Sequence, residues 1–119
     1  MDLDLIQTND GEYLKLSCEG VCVSSEDHVL ALLGACGEHQ NYKLVIPEGC
    51  LHPNFSDLKT GSAGLIFHKF STYRMKTAFL GQWDEIQNER FKELMVECNK
   101  GPQTRFFTSI PEAERWLLA

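Results

Sequence analysis

Residues 55–73 read FSDLKTGSAGLIFHKFSTY. Within them Ala63, Ile66, Phe67 and Phe70 recur at i, i+3, i+4 and i+7, one face of a 3.6-residue helix. Tyr73 continues that face at its trailing edge. A helix with such a stripe needs a layer to bury it against, and the flanking segments supply strands. Turning about 100° per residue sets Gly61, Gly64 and His68 on the opposite side. Two glycines inside a helix cost roughly 1 kcal/mol each relative to alanine. The pattern therefore predicts either close packing by a neighbouring loop or a smooth face for a partner or ligand.

Working outward, Leu14, Leu16 and Cys18 alternate with Lys15 and Ser17, the period of a half-buried strand over residues 12–18. A strand over 3–7 precedes it, and Thr8-Asn9-Asp10-Gly11 has the turn chemistry of a hairpin, with Gly11 free to take positive φ. Ser25 predicts the cap of a helix carrying Val29, Leu32, Leu33 and Cys36, with Gly37 placed to end it in the left-handed conformation. Residues 42–46 (YKLVI) form a buried strand closed by Pro47. Beyond the central helix, 77–80 is a strand stopped by Gly81. Asn88 caps a helix with the stripe Phe91, Leu94, Met95 and Cys98, ended by Gly101-Pro102. Residues 104–108 are the last strand. Ser109-Ile-Pro-Glu112 reads as a capping box with proline in the first turn, and Ala113, Trp116 and Leu117 face inward from the final helix. This alternation predicts one α/β domain over residues 1–119: a mainly parallel five-stranded sheet, an N-terminal antiparallel hairpin and four helices.

Bulk properties narrow the function classes. The chain has 119 residues, 43% hydrophobic and 24% charged, enough to bury a core without staples. A net charge of −6 argues against a general nucleic-acid binder, whose affinity rests on neutralising phosphates. No apolar run approaches the about 20 residues of a transmembrane helix. MDLDLIQ lacks a basic segment followed by an apolar core, so the expected location is cytoplasmic. Five cysteines (Cys18, Cys22, Cys36, Cys50, Cys98) at scattered spacings suit reduced thiols better than a disulfide framework. Cys18-x3-Cys22 is not followed by a second pair at zinc-finger spacing, although His39 and His52 have the means to approach Cys50; no metal and no cofactor are expected.

Ligands of open α/β sheets bind beyond the carboxyl ends of the strands. That rim would gather residues 47–54, 57–60, 82–84 and Ser109, with His52, Asp57, Lys59 and Trp83 lining a pocket. Trp83 reads equally as a packing lid or a ligand-contacting ring. Lys59, Thr60, Gly61 and Ser62 stand at the N-terminal end of the central helix, where unpaired amides suit anions. The P-loop spacing is missing, so nucleotide hydrolysis has no support. Thr60 or Ser62 serves either as a phosphorylation site or as a capping hydroxyl. Glu89 and Glu93, one turn apart, read as solvation. No catalytic constellation is visible.

The stretch FSDLKTGSAGLIFHKFSTYRMKTAFLG, then ECNKG, then RFFTSIPEAERWL, resembles a bacterial family known as domain of unknown function 4180. That resemblance implies no activity. The element order is similar to that of STAS domains, the SpoIIAA-like fold, in which a Ser-Ser/Thr-Gly phosphoacceptor opens the helix after the third strand. Lys59-Thr60-Gly61 occupies that place, which makes Thr60 the acceptor counterpart. Lys59 replaces the usual small hydroxyl residue, and Leu58 stands where an Asp is customary, with Asp57 one position back. The Gly61, Gly64 and His68 ridge, together with the lack of a catalytic constellation, predicts a non-catalytic protein-interaction or regulatory module of STAS-like type, meeting a protein partner or a second copy through the N-terminal end and glycine face of the central helix. The alternative expectation is a small-molecule or anion-binding protein, or an enzyme, with its pocket at the carboxyl rim.

Overall fold

Strands follow one another across the sheet in the order in which they occur along the chain. The computed structural model describes residues 2–119 and contains β1 (Asp2–Thr8), β2 (Gly11–Ser17), β3 (Lys43–Pro47), β4 (Lys76–Leu80) and β5 (Thr104–Phe107) in that lateral order. β1 and β2 form the antiparallel hairpin, with Gly11 at φ +140°, and the remaining neighbours are parallel. The helices are α1 (Glu26–Glu38), α2 (Ser62–Thr72), α3 (Glu89–Cys98) and α4 (Ile110–Leu117).

This order decides where the helices go. Right-handed crossovers that always step to the next strand in the same direction place every crossover helix on the same face. Val29 and Leu32 of α1, Ile66 and Phe70 of α2 and Phe91 of α3 accordingly share one core with Leu14, Leu16, Leu44, Ile46 and Phe79 of the strands. The alternate strand residues Tyr13, Val45 and Ala78 point the other way and are covered by Ala113 and Leu117 of α4. Each strand thus spends its period of two on two different cores.

In α2, Ala63, Ile66 and Phe70 are buried, Phe67 is half-buried, and Gly64 and His68 are exposed. Tyr73 leaves the stripe and stands 50% exposed. The cause is local: the helix ends at Thr72, Arg74 takes φ +56°, and the reversed chain delivers Met75 into the core instead. α1 also ends differently from its expected stop. It runs through Gly37 to Glu38, and Gln40 rather than the glycine adopts the left-handed conformation, at φ +52°. Asn88 caps α3 through its side-chain oxygen, which accepts from the Phe91 amide. Ser109 precedes α4, but its hydroxyl makes no capping bond, so the capping box is not closed; Pro111, with φ already near the helical value, starts the helix.

α4 is held by polar as well as apolar contacts. Lys76 Nζ and the Arg105 guanidinium flank the Trp116 ring at 4.9 and 5.3 Å from its centre, and Lys76 Nζ donates to the Leu117 carbonyl at 3.2 Å. The buried Tyr13 hydroxyl donates to Glu114 Oε2 at 2.8 Å. Burial, then the hydrogen bond to Glu114 and its negative charge, push the Tyr13 phenol up to about 12. Between the ordinary tyrosine value of about 10 and that value, the unfolded chain releases a proton that the folded chain keeps. Stability from this pair is therefore complete below about pH 10 and is lost as pH rises toward 12. Urea titrations at stepped alkaline pH should show wild type losing stability more steeply than Tyr13→Phe across that window.

Candidate functional site

The carboxyl ends of β2, β3 and β4 are overlaid by the connection from β3 to α2, which is built from three short 3-10 turns: Glu48–Cys50, Pro53–Ser56 and Leu58–Thr60. Side chains hold each later turn by accepting or donating locally. His52 Nδ1 accepts from the Asn54 amide at 3.1 Å, ahead of Pro53, and Asp57 Oδ1 accepts from the Lys59 amide at 3.1 Å. Thr60 Oγ1 donates to the Asp57 carbonyl at 2.9 Å and accepts from the Ser62 amide at 3.2 Å. Gly61 then takes φ +75°, a left-handed conformation that costs glycine little, and the chain enters α2. Phe55 anchors the middle of the connection, buried against Phe67, Phe79 and Phe91.

Opposite this connection lies the turn after β4. Glu48 reaches across, and its Oε1 accepts from the Gln82 amide at 2.9 Å. The crossing is so close that a Cβ at Gly81 would stand 2.6 Å from Glu48 Cβ, below any real contact. Gly81→Ala is thus expected to cost about 1–3 kcal/mol through overpacking, with much of the loss recovered in the Glu48→Gly/Gly81→Ala double variant, because glycine alone removes the opposing Cβ; chemical denaturation of the four species checks it. Trp83 is 5% exposed, its Nε1–H donates to the Phe79 carbonyl at 2.8 Å, and its ring meets Phe106 edge-on at 4.9 Å. Packing is its first role, and one edge of the ring remains at the surface of a cleft.

That cleft, about 410 Å³, lies between the two loops. Val21, Leu51, Phe55, Trp83 and Ile86 form its apolar walls, and Glu48, His52 and Ser56 are the polar groups among its lining residues. It does not arise from a reversal of strand order, because there is none; the folded β3–α2 connection makes it. His52 and Trp83 line it together. Asp57 and Lys59 belong to a separate groove with Asn88, Glu89 and Arg90. Thr60, Gly61 and Ser62 border a third, polar depression with Ser24, Ser25 and Asn54. Gly64 and His68 lie exposed on the outer face of α2, away from the cleft.

Beside the cleft, three cysteines meet. Cys18 follows β2 directly and Cys50 closes the turn after β3, so the parallel pairing of these strands brings both to one rim. The Cys22 and Val23 amides donate to the Cys50 carbonyl at 3.0 and 2.9 Å, and Val23 bridges Leu51 in parallel. The sulfurs of Cys18, Cys22 and Cys50 all lie within 4.8 Å of one another. Cys18 and Cys22 are joined as a disulfide, which corrects the expectation that all thiols are free. The Cys50 sulfur lies 2.8 Å from that of Cys18. His39 and His52 are not part of this group: His39 caps α1, and His52 serves its own turn. Burial raises the Cys50 thiol above its ordinary value, and it pushes Cys36, in the core, up to about 11.

Residues 8–117 match the family described as Domain of unknown function (DUF4180). The chain belongs to this family. No curated protein and no solved structure matches the chain. Among the described residues, no helix is long and apolar enough to cross a membrane.

Proposed function

We propose that this domain is a binding module whose ligand is a small molecule seated in the carboxyl-rim cleft. The observation that carries this reading is the cleft itself. At about 410 Å³ it falls within the roughly 300–1,000 Å³ of small-molecule sites, and like them it has apolar walls with few polar groups. Val21, Leu51 and Ile86 suit an apolar body, while Glu48 and His52 suit hydrogen-bonding groups on its polar end. Glu48 is held by a backbone amide rather than free to swing, which pre-organises one acceptor.

Thermal-shift screening with a chemically varied set of metabolites tests this. A ligand present at a hundredfold excess over its Kd stabilises by about 2.7 kcal/mol, and the gain should vanish in Val21→Arg, whose site is 45% exposed and tolerates the change in fold. A flat screen, or stabilisation that Val21→Arg leaves intact, counts against it.

A second reading, a protein-interaction or regulatory surface on the outer face of α2, is favoured by one feature. Gly61 and Gly64 are exposed, and a Cβ at either would meet nothing within 4 Å. Sedimentation of wild type and Gly64→Arg at several concentrations tests self-association through that face; identical behaviour of the two removes it.

A further inference from the structure

We propose that Cys18, Cys22 and Cys50, when reduced, form a three-thiolate site for a thiophilic divalent cation of the Zn2+ class, and that the Cys18–Cys22 disulfide is its oxidised, metal-free form. The proposal goes beyond the cleft reading and does not depend on it.

Three observations converge. Two of the ligands lie four residues apart in one segment and the third comes from a segment adjacent only through the fold, an arrangement common to structural metal sites. The backbone holds the two segments in fixed register through the Cys22 and Val23 amides on the Cys50 carbonyl and the Val23–Leu51 bridge. The third sulfur has no disulfide partner and is buried directly against the pair, 2.8 Å from Cys18. Tetrahedral Zn–S bonds of about 2.3 Å set sulfurs about 3.8 Å apart. A triad already closed within 4.8 Å reaches that spacing by side-chain rotation once the disulfide is opened.

Entry to the site is a balanced sequence. A dithiol reductant gives two electrons and two protons to the Cys18–Cys22 bond and becomes a disulfide itself. The resulting thiols, with Cys50, then each lose a proton to solvent as three metal–sulfur bonds form. Thiolates are the soft ligands that select such ions over Mg2+ or Ca2+. With three protein ligands, the fourth tetrahedral position is open to water or an exchangeable group.

Full-length protein reduced with a phosphine, which does not compete as a dithiol chelator would, is titrated anaerobically with Co2+ as the probe. One equivalent should produce thiolate-to-cobalt charge-transfer absorption and the visible bands of a tetrahedral centre, and Zn2+ should bleach both. Cys22→Ser, at a partly exposed position, should weaken binding by more than the roughly 10–100-fold typical of losing an outer-shell partner. Cys98→Ser should leave it unchanged. Cys50→Ser should behave like Cys22→Ser; if that buried change prevents folding, Cys18→Ser replaces it. Absence of the bands from reduced, folded protein overturns the proposal, and so does retention of wild-type affinity in Cys22→Ser.

Discussion

Phe79→Ala is expected to lower the unfolding free energy by about 3–5 kcal/mol, the range for removing a fully buried aromatic ring. Phe79 is 0% exposed on β4, the strand that lies between β3 and β5. Its ring stacks on Phe106 at 5.3 Å and meets Phe55 at 5.4 Å and Phe67 at 5.8 Å. Those partners come from β5, the β3–α2 connection and α2, so the cavity would be lined by parts of the fold that cannot all collapse into it. Against a total stability of about 5–15 kcal/mol, the loss is large. Val96→Ala, at a position 56% exposed on α3, should stay within about 0.5 kcal/mol. Urea denaturation of both variants checks the pair, and a Phe79→Ala loss below about 1 kcal/mol would contradict the central placement of the ring.

A second large effect separates the two faces of α2. Ile66 is 2% exposed, and an aspartate there would be buried as an unpaired charge. Ile66→Asp should cost about 4 kcal/mol or more and leave much of the population unfolded. Two residues away, Gly64→Arg should preserve the fold and add up to about 1 kcal/mol, because arginine is the better helix former and nothing lies within 4 Å of its Cβ. Circular dichroism and chemical denaturation measure both. Equal effects of the two substitutions would mean that the helix does not present these faces as described.

Local periodicity made much of this fold legible. The stripe Ala63, Ile66 and Phe70 and the alternation around Leu14 and Leu16 are consequences of periods 3.6 and 2, which a sequence displays directly. Element ends were less visible because they depend on neighbours. Tyr73 continues the helical spacing on paper, yet the left-handed turn at Arg74 removes it from the core and delivers Met75. Ser109 and Glu112 have the spacing of a capping box, but spacing does not decide where a hydroxyl points.

The site was legible only in outline. The general rule for open α/β sheets directed attention to the rim, and His52 and Trp83 do line a cleft there. Asp57 and Lys59, close to them in sequence, face a different groove because two further 3-10 turns intervene between Cys50 and Thr60. Glu48 belongs to the polar rim loop over residues 47–54, but its anchoring is not legible in the sequence because its partner is a backbone amide on another strand's exit. The meeting of Cys18, Cys22 and Cys50 followed from parallel pairing of β2 with β3, since residues just past the ends of adjacent parallel strands share one edge. Spacing along the chain alone showed only the first two.

Amide and indole chemical shifts of labelled protein, recorded while adding the compound that gives the largest thermal shift, test the proposed site most directly. The expected changes cluster in residues 48–56 and 81–86, the Trp83 indole included, and leave residues 61–68 unmoved. Changes centred on Gly61, Gly64 and His68, with the cleft residues silent, would contradict a ligand site at the carboxyl rim.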